Sequence, residues 1–363
     1  MKRVVLLGAA LAIAASCTAG GTPLASPSPS TSTASGSPAS TARPASTEPS
    51  LVLQATSGEQ AARWELVLAV PFGAGDAQLA YEAASESAPN EPASFTVVSD
   101  GSFWIVDAGK ARVAHFGADG RFLGAVPTAG RPAEDVSFSG SIMYVLISGQ
   151  TGRISRIGPK GARSITVRSG GRALRLSNQL YPAGGDGLVM EASGYADSQT
   201  GSEGPAGYVR VDTVGSGDAT LLPGLPIGRK TAVRVERRRD DQLDLVYLRD
   251  GLSIVQPVHF GLLTPGGSKP RRIAGEFAPT EFAPFDGDIA MYVMVSPSRP
   301  GDQQRYGGSR WLLRMGRSPV LWERLPDPGV PDESQRRHLA IGPDGRLYLM
   351  VLTTNGAQIY RRP

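Results

Sequence analysis

Phe95-Thr-Val-Val-Ser-Asp-Gly-Ser-Phe-Trp-Ile-Val-Asp107 is followed a few residues later by Arg112-Val-Ala-His-Phe-Gly-Ala-Asp-Gly-Arg-Phe-Leu-Gly124. In each half an Asp-Gly pair, Asp100-Gly101 and Asp119-Gly120, separates runs of β-branched and aromatic residues. Glycine supplies the positive φ that a tight hairpin needs, and the flanking residues suit a pleated, buried backbone. The stretch predicts strand, turn, strand, loop, strand, turn, strand. Four short antiparallel strands in about 35 residues make one blade of a β-propeller.

Weaker copies run through the rest of the chain. Ser139-Gly140-Ser-Ile-Met-Tyr-Val-Leu-Ile147 repeats the first turn and second strand, and Arg153-Ile-Ser-Arg-Ile-Gly-Pro-Lys-Gly161 repeats the third strand and its turn. Gly185-Asp186-Gly187-Leu-Val-Met190, Gln242-Leu-Asp-Leu-Val-Tyr247, Gly287-Asp288-Ile-Ala-Met-Tyr-Val-Met294 and Pro343-Asp344-Gly345-Arg-Leu-Tyr-Leu-Met350 open further copies. With Ile105, Val145, Val189, Leu245, Ala290 and Tyr348 as markers, the intervals fit blades of about 40–50 residues carrying loop insertions. The fold class is all-β, a single propeller of six four-stranded blades, with room in the long intervals for a seventh. The last copy ends one strand short, and Trp64-Glu-Leu-Val-Leu-Ala-Val70 is unassigned at the other end. That N-terminal strand is expected to complete the last blade and cover its open edge.

The N-terminus has a different character. Lys2 and Arg3 precede an apolar run, Val4 to Ala15, that closes on Ser16-Cys17. A basic start, a short apolar core and small residues before a cut mark a secretory signal. The run is too short to cross a hydrocarbon layer, which takes about 20 helical residues. Residues 18–50 are dominated by Ser, Thr, Ala, Pro and Gly, and can bury too little to repay their ordering. The expected organisation is a signal segment at 1–16, a lipidated Cys17 with a flexible spacer at 17–50, and a propeller at 51–363. Cys17 is the one cysteine, so no disulfide supports the domain. Net charge is +4, and removing Lys2 and Arg3 takes two from the 37 basic residues set against 33 acidic ones. That near balance argues against nucleic acid as a partner.

Ile13-Ala14-Ala15-Ser16-Cys17 resembles the lipobox of bacterial lipoproteins, although Ala14 stands where that family prefers Leu. The resemblance implies a diacylglyceryl group on Cys17 and a location on the extracytoplasmic face of the cell membrane. The first and last copies, over roughly 94–126 and 337–361, resemble NHL and SMP-30-like propeller repeats. Lyases of that kind hold zinc with several channel histidines, and lactonase-like members hold a divalent cation with Glu, Asn and Asp. The sequence has three histidines. His115 and His259 each precede a Phe-Gly step, which places both on third strands, away from the channel. His338 starts the innermost strand of the last copy beside Arg336 and Arg337. With Glu134, Asp135, Asn178 and Asp288 it makes the set of candidate channel-mouth residues.

Other chemistry is absent from the sequence. It contains no Gly-x-Ser-x-Gly, His-Glu-x-x-His or phosphate loop. Arg234 to Asp241 balances its charges and reads as a solvated loop, and Pro297 to Arg310 reads as a polar loop over one face. Trp104, Trp311 and Trp322 lie in strand-like runs and are expected to pack between blades. The leading functional reading is a non-catalytic, monomeric binding module for a protein, peptide or glycan, needing no cofactor. A metal-dependent hydrolase or lyase with a divalent cation at the channel mouth is the alternative, and a structural role in the envelope a third.

Overall fold

The computed structural model describes residues 51–52, 64–82, 90–147, 153–158, 161–177, 179–183, 187–197, 206–211, 218–228, 230–239, 242–259, 262–263, 272–273, 275–285, 288–315, 321–326 and 335–363. Pro49–Pro363 is one compact unit; the other unit, Met1–Glu48, with Cys17 and the spacer, lies outside the described residues.

The quoted stretch folds as expected. Blade 1 is Pro92–Val97, Phe103–Asp107, Arg112–Phe116 and Phe122–Pro127, each strand antiparallel to the next. Gly101 and Gly120 take φ of 80° and 79°, the left-handed region that the Asp-Gly turns require. Blade 2 is Ala133–Ser139, Ile142–Ile147, Arg153–Gly158 and Gly161–Thr166. Blade 3 begins with Tyr181–Ala183, then Gly187–Tyr195, Ala206–Arg210 and Leu221–Leu222, and Arg172–Leu176 pairs with the far end of Gly187–Tyr195. Blade 4 is Leu225–Pro226, Thr231–Arg239, Gln242–Arg249 and Leu252–His259. Blade 5 is Gly275–Phe285, Asp288–Pro297, Ser309–Met315 and Leu321–Arg324. These five and the closing blade make a six-bladed β-propeller.

Blade 6 takes Leu339–Ile341, Leu347–Thr353 and Gly356–Arg361 from the C-terminus and Glu65–Pro71 from the N-terminal side. The ring therefore closes by pairing its two ends, as the strand count required. At the join Gly356 sits so close to the opposite strand that a Cβ there would collide with the Val70 carbonyl oxygen. Arg361 and Glu65 add an exposed ion pair at 2.6 Å.

The second strands of blades 1, 2, 5 and 6 are buried along nearly their whole length, which explains why they read as almost continuous apolar runs. On blade 1, Phe95, Phe103 and Ile105 pack toward blade 6 with Met350 and Leu352, while Val106 and Val113 pack toward blade 2 with Val136 and Val145. Further apolar layers join blades 2 and 3, blades 3 to 5, and blades 5 and 6. Trp104 and Trp311 contribute to these layers.

Four local expectations are corrected. Arg234 to Arg239 is not a loop but part of the second strand of blade 4, paired across to Gln242–Arg249. Its alternating charges hid the strand, because one side faces water while Val233 enters the core. Leu245 consequently marks a third strand rather than a second, and His259 ends a fourth strand rather than a third. Within Pro297 to Arg310 a short helix, Pro300–Tyr306, buries Asp302. No helix among the described residues is long and apolar enough to cross a membrane.

Candidate functional site

The innermost strands surround a central channel, and its two ends differ chemically. Three of these strands carry a register shift, in blades 1 and 2 near the first residues and in blade 5 midway along. The shifts fall between Pro92 and Ser94, Ala133 and Asp135, and Pro279 and Glu281. Such bulges re-aim a side chain that regular pairing would send elsewhere. Blade 3 reaches the same place by breaking its inner strand between Arg172–Leu176 and Tyr181–Ala183, an excursion that carries Gln179 and Leu180.

A buried polar cluster results. Arg337 donates from one guanidinium nitrogen to Asp135 Oδ2 at 2.5 Å and to the Leu180 carbonyl. The same Asp135 oxygen accepts the Leu180 backbone N–H at 2.6 Å. Glu281 accepts the backbone N–H groups of His338 at 2.6 Å and Leu339 at 3.1 Å, and the Gln179 side chain at 3.0 Å. The Ala93 carbonyl accepts the backbone N–H groups of Arg336 and Arg337. Gln335 donates to the Arg337 and Met350 carbonyls. Blades 1, 2, 3, 5 and 6 are thus tied together at one point.

Burial raises the Asp135 carboxyl above its usual range, and the Arg337 guanidinium and the Leu180 amide offset only part of that. The His338 ring stacks on Tyr292 with centroids 4.1 Å apart, its Nδ1 3.4 Å from Glu281 Oε2. Among the described residues no three His, Cys, Asp or Glu side chains converge as metal ligands. The carboxylates fit a channel cation poorly, since Asp135 faces a guanidinium and Glu281 is engaged by N–H donors. This end of the channel is built as an interblade clamp.

At the opposite end, where the innermost strands finish, lies a cavity of about 590 Å³ to which all six blades contribute. Blades 1 and 2 supply Thr96, Ser99 and Ser137. Blades 3 to 6 each supply a proline: Pro182, Pro226, Pro284 and Pro343. Val98, Phe138, Ile227, Phe285 and Ile341 complete most of the apolar wall. No ionisable side chain lines it among the described residues.

The sequence candidates are distributed as follows. Asp135 and His338 belong to the clamp. Glu134 is half-buried on the first strand of blade 2, at the residue the register shift passes over. Asp288 opens the second strand of blade 5, paired with Arg314 at 2.9 Å, and Arg314 lies over the Phe285 ring. Asn178 lies outside the described residues. His115 is on a third strand as expected, stacked on Trp104 at 3.9 Å with Ser102 Oγ 2.9 Å from its Nε2. Sequence reasoning overlooked Arg337, Glu281 and the cavity wall. The recurrence of proline at inner-strand ends was the available signal for the wall.

One family model matches part of the chain. Residues 62–136 match the Domain of unknown function (DUF7485). No curated protein matches the sequence. Among solved structures, a catalytically inactive virginiamycin B lyase from Staphylococcus aureus with quinupristin is 11% identical over 74% of this chain and 94% of that one, with a TM-score of 0.40. A gluconolactonase from Xanthomonas campestris is 13% identical over 75% of this chain and 85% of that one, with a TM-score of 0.39. The PQQ-bound aldose sugar dehydrogenase of Streptomyces coelicolor is 12% identical over 82% and 97%, with a TM-score of 0.40. Likeness at this level carries no chemistry from those proteins to this chain.

Proposed function

We propose that this protein is a lipid-anchored extracytoplasmic propeller that binds a ligand at the proline-lined channel mouth and releases it unchanged. The observation that carries the reading is the cavity itself. All six blades shape it, its volume is that of a small-molecule site, and its lining holds no general acid, base or metal ligand among the described residues. The acidic side chains of the channel support a binding role from the other end, because their oxygens hold the blades together. The metal-dependent hydrolase or lyase would need those same oxygens.

The anchor rests on the sequence around Cys17 and on the composition of the spacer. One acyl chain gives marginal attachment, and two give stable attachment. Replacing Cys17 by Ser is expected to move the protein from the membrane fraction to the soluble extracytoplasmic fraction. Retention in the membrane would end the lipoprotein reading. For binding, native mass spectrometry of the membrane-extracted protein should show a bound small molecule. It should be lost in Val98→Trp and Ser99→Trp, which fill the mouth, and conversion of that molecule during incubation would overturn the non-catalytic reading.

A further inference from the structure

We propose that the mouth-side corner of blade 4 seats the domain on an anionic lipid bilayer through Leu252, Ile254, Lys230 and Arg249. The inference rests on the lipid-anchored reading and adds the surface by which the anchored domain meets the membrane.

Four large apolar side chains are exposed among the described residues: Leu66, Leu123, Leu252 and Ile254. Exposed apolar residues standing singly are ordinary, and Leu66 and Leu123 are on separate blades. Leu252 and Ile254 are the most exposed of the four, at 68% and 55%, and both belong to the fourth strand of blade 4. They are two residues apart, so they share one side of that strand. The register sets Leu252 opposite Arg249 and Ile254 opposite Tyr247, and Tyr247 opposite Val233 in the core. The apolar side of blade 4 thus runs outward from the core and into water at this corner. It is the corner on the mouth side, because Pro226 to Gly228 line the mouth and Thr231, just beyond, pairs with Arg249.

Cations stand beside the apolar pair. The side chains of Lys230 and Arg249 are 80% and 51% exposed, and each lies 3.7 Å from Asp250 in the hairpin turn. Two cations share that carboxylate, which leaves the trio with a net positive charge. Apolar side chains rimmed by Lys and Arg suit the boundary of a bilayer, where the first enter the acyl region and the second meet anionic headgroups.

The course of the chain favours a bilayer over a protein partner. Leu51–Val52 pairs in parallel with Val258 and His259 on the same fourth strand. Parallel pairing fixes its direction, so its N-terminal end, the end nearer Cys17, points toward Leu252 and Ile254. The stretch from Val258 back to Leu252 is about 20 Å of strand. A lipid on Cys17, a few dozen residues earlier, therefore keeps the bilayer within reach of this corner. Tethering raises the effective concentration of the membrane surface, and a weak patch is then enough to orient the domain.

Vesicle cosedimentation tests the surface without the anchor. The protein is the mature chain, residues 17–363 with Cys17→Ser, so that neither the lipid nor the N-terminal apolar run contributes. Vesicles are phosphatidylcholine alone, or equal parts phosphatidylcholine and phosphatidylglycerol. Binding to the anionic vesicles is expected, at least about fivefold weaker to the neutral ones and weakened by salt. Leu252→Ser with Ile254→Ser, and separately Lys230→Glu with Arg249→Glu, should each weaken it at least about fivefold while melting like the parent. Leu66→Ser with Leu123→Ser should leave it unchanged. No binding to anionic vesicles, or binding that survives both blade 4 changes, would overturn the inference. Self-association without vesicles that Leu252→Ser with Ile254→Ser abolishes would also overturn it, since the corner would then belong to a second copy of the chain. Lipidation is decided separately, by fractionating cells carrying Cys17→Ser after a high-salt wash, which strips a weak electrostatic contact and leaves an acylated protein in place.

Discussion

Arg337 reaches 202 residues back along the chain to place its guanidinium 2.5 Å from Asp135, and the two side chains are 3% and 0% exposed. The pair couples the chain entering the last blade to the start of the second blade. A buried ion pair contributes little net stability relative to an apolar replacement, but removing one member strands the other. Arg337→Met is therefore expected to cost about 3–5 kcal/mol, and Asp135→Asn a comparable amount. Loss of the cation leaves the buried Asp135 carboxylate with neutral donors only, the backbone N–H groups of Leu180 and Val136 and the Ser94 hydroxyl. The double variant should cost less than the two single costs combined, as read from denaturant unfolding of all four proteins. Additivity within about 0.5 kcal/mol would show that the two side chains do not act as a unit.

Asp135 also sets a pH dependence. Its folded-state pKa is raised, so the native protein holds a proton more tightly than the unfolded chain does. Its contribution to stability therefore falls as pH rises through the interval above 3.8, and Asp135→Asn removes that slope. Unfolding free energies measured across that interval in parent and variant check the sign.

Ring closure is the second relationship open to test. Glu65–Pro71 buries Leu68 and Val70 against blade 1 and covers the free edge of Gly356–Arg361. A chain beginning at Phe95 loses both, and an uncovered strand edge invites pairing with other molecules. That truncated chain is expected to aggregate or to melt well below the parent. Size-exclusion chromatography and thermal unfolding report on it, and a monomer with unchanged melting would remove the closure argument.

The fold was legible because a propeller repeats a local signal. Asp100-Gly101, Asp119-Gly120 and Asp344-Gly345 each announce a hairpin whose glycine takes positive φ. Blade 4 was harder to read, since Arg234 and Glu236 alternate with Val233 and Val235 on a strand wet along one side. The site was less legible still. Asp135 stood out as an inner-strand acid, but Glu281 reaches the channel only through a register shift that sequence spacing does not encode. Arg337 looked like one of a basic pair, although Arg336 is exposed and Arg337 is buried. The cavity wall consists of common apolar residues whose role comes from the ring that assembles them.

His115 offers a spectroscopic check on the first blade. Burial lowers its pKa below 6.5, and the Asp100 carboxylate offsets part of the shift. A base whose folded pKa is depressed is neutral in the native state while the unfolded chain already binds the proton. Its stabilising contribution is thus present above 6.5 and is lost as pH falls through the interval down to the folded value. The imidazole stacks on Trp104 at 3.9 Å, so protonation should also quench the indole emission. The His115 ring proton is expected to titrate below the value for the unfolded chain when followed by NMR. Asp100→Asn should lower the midpoint further, because it removes the charge that favours imidazolium. A midpoint that rises in Asp100→Asn would mean that the carboxylate does not act on His115.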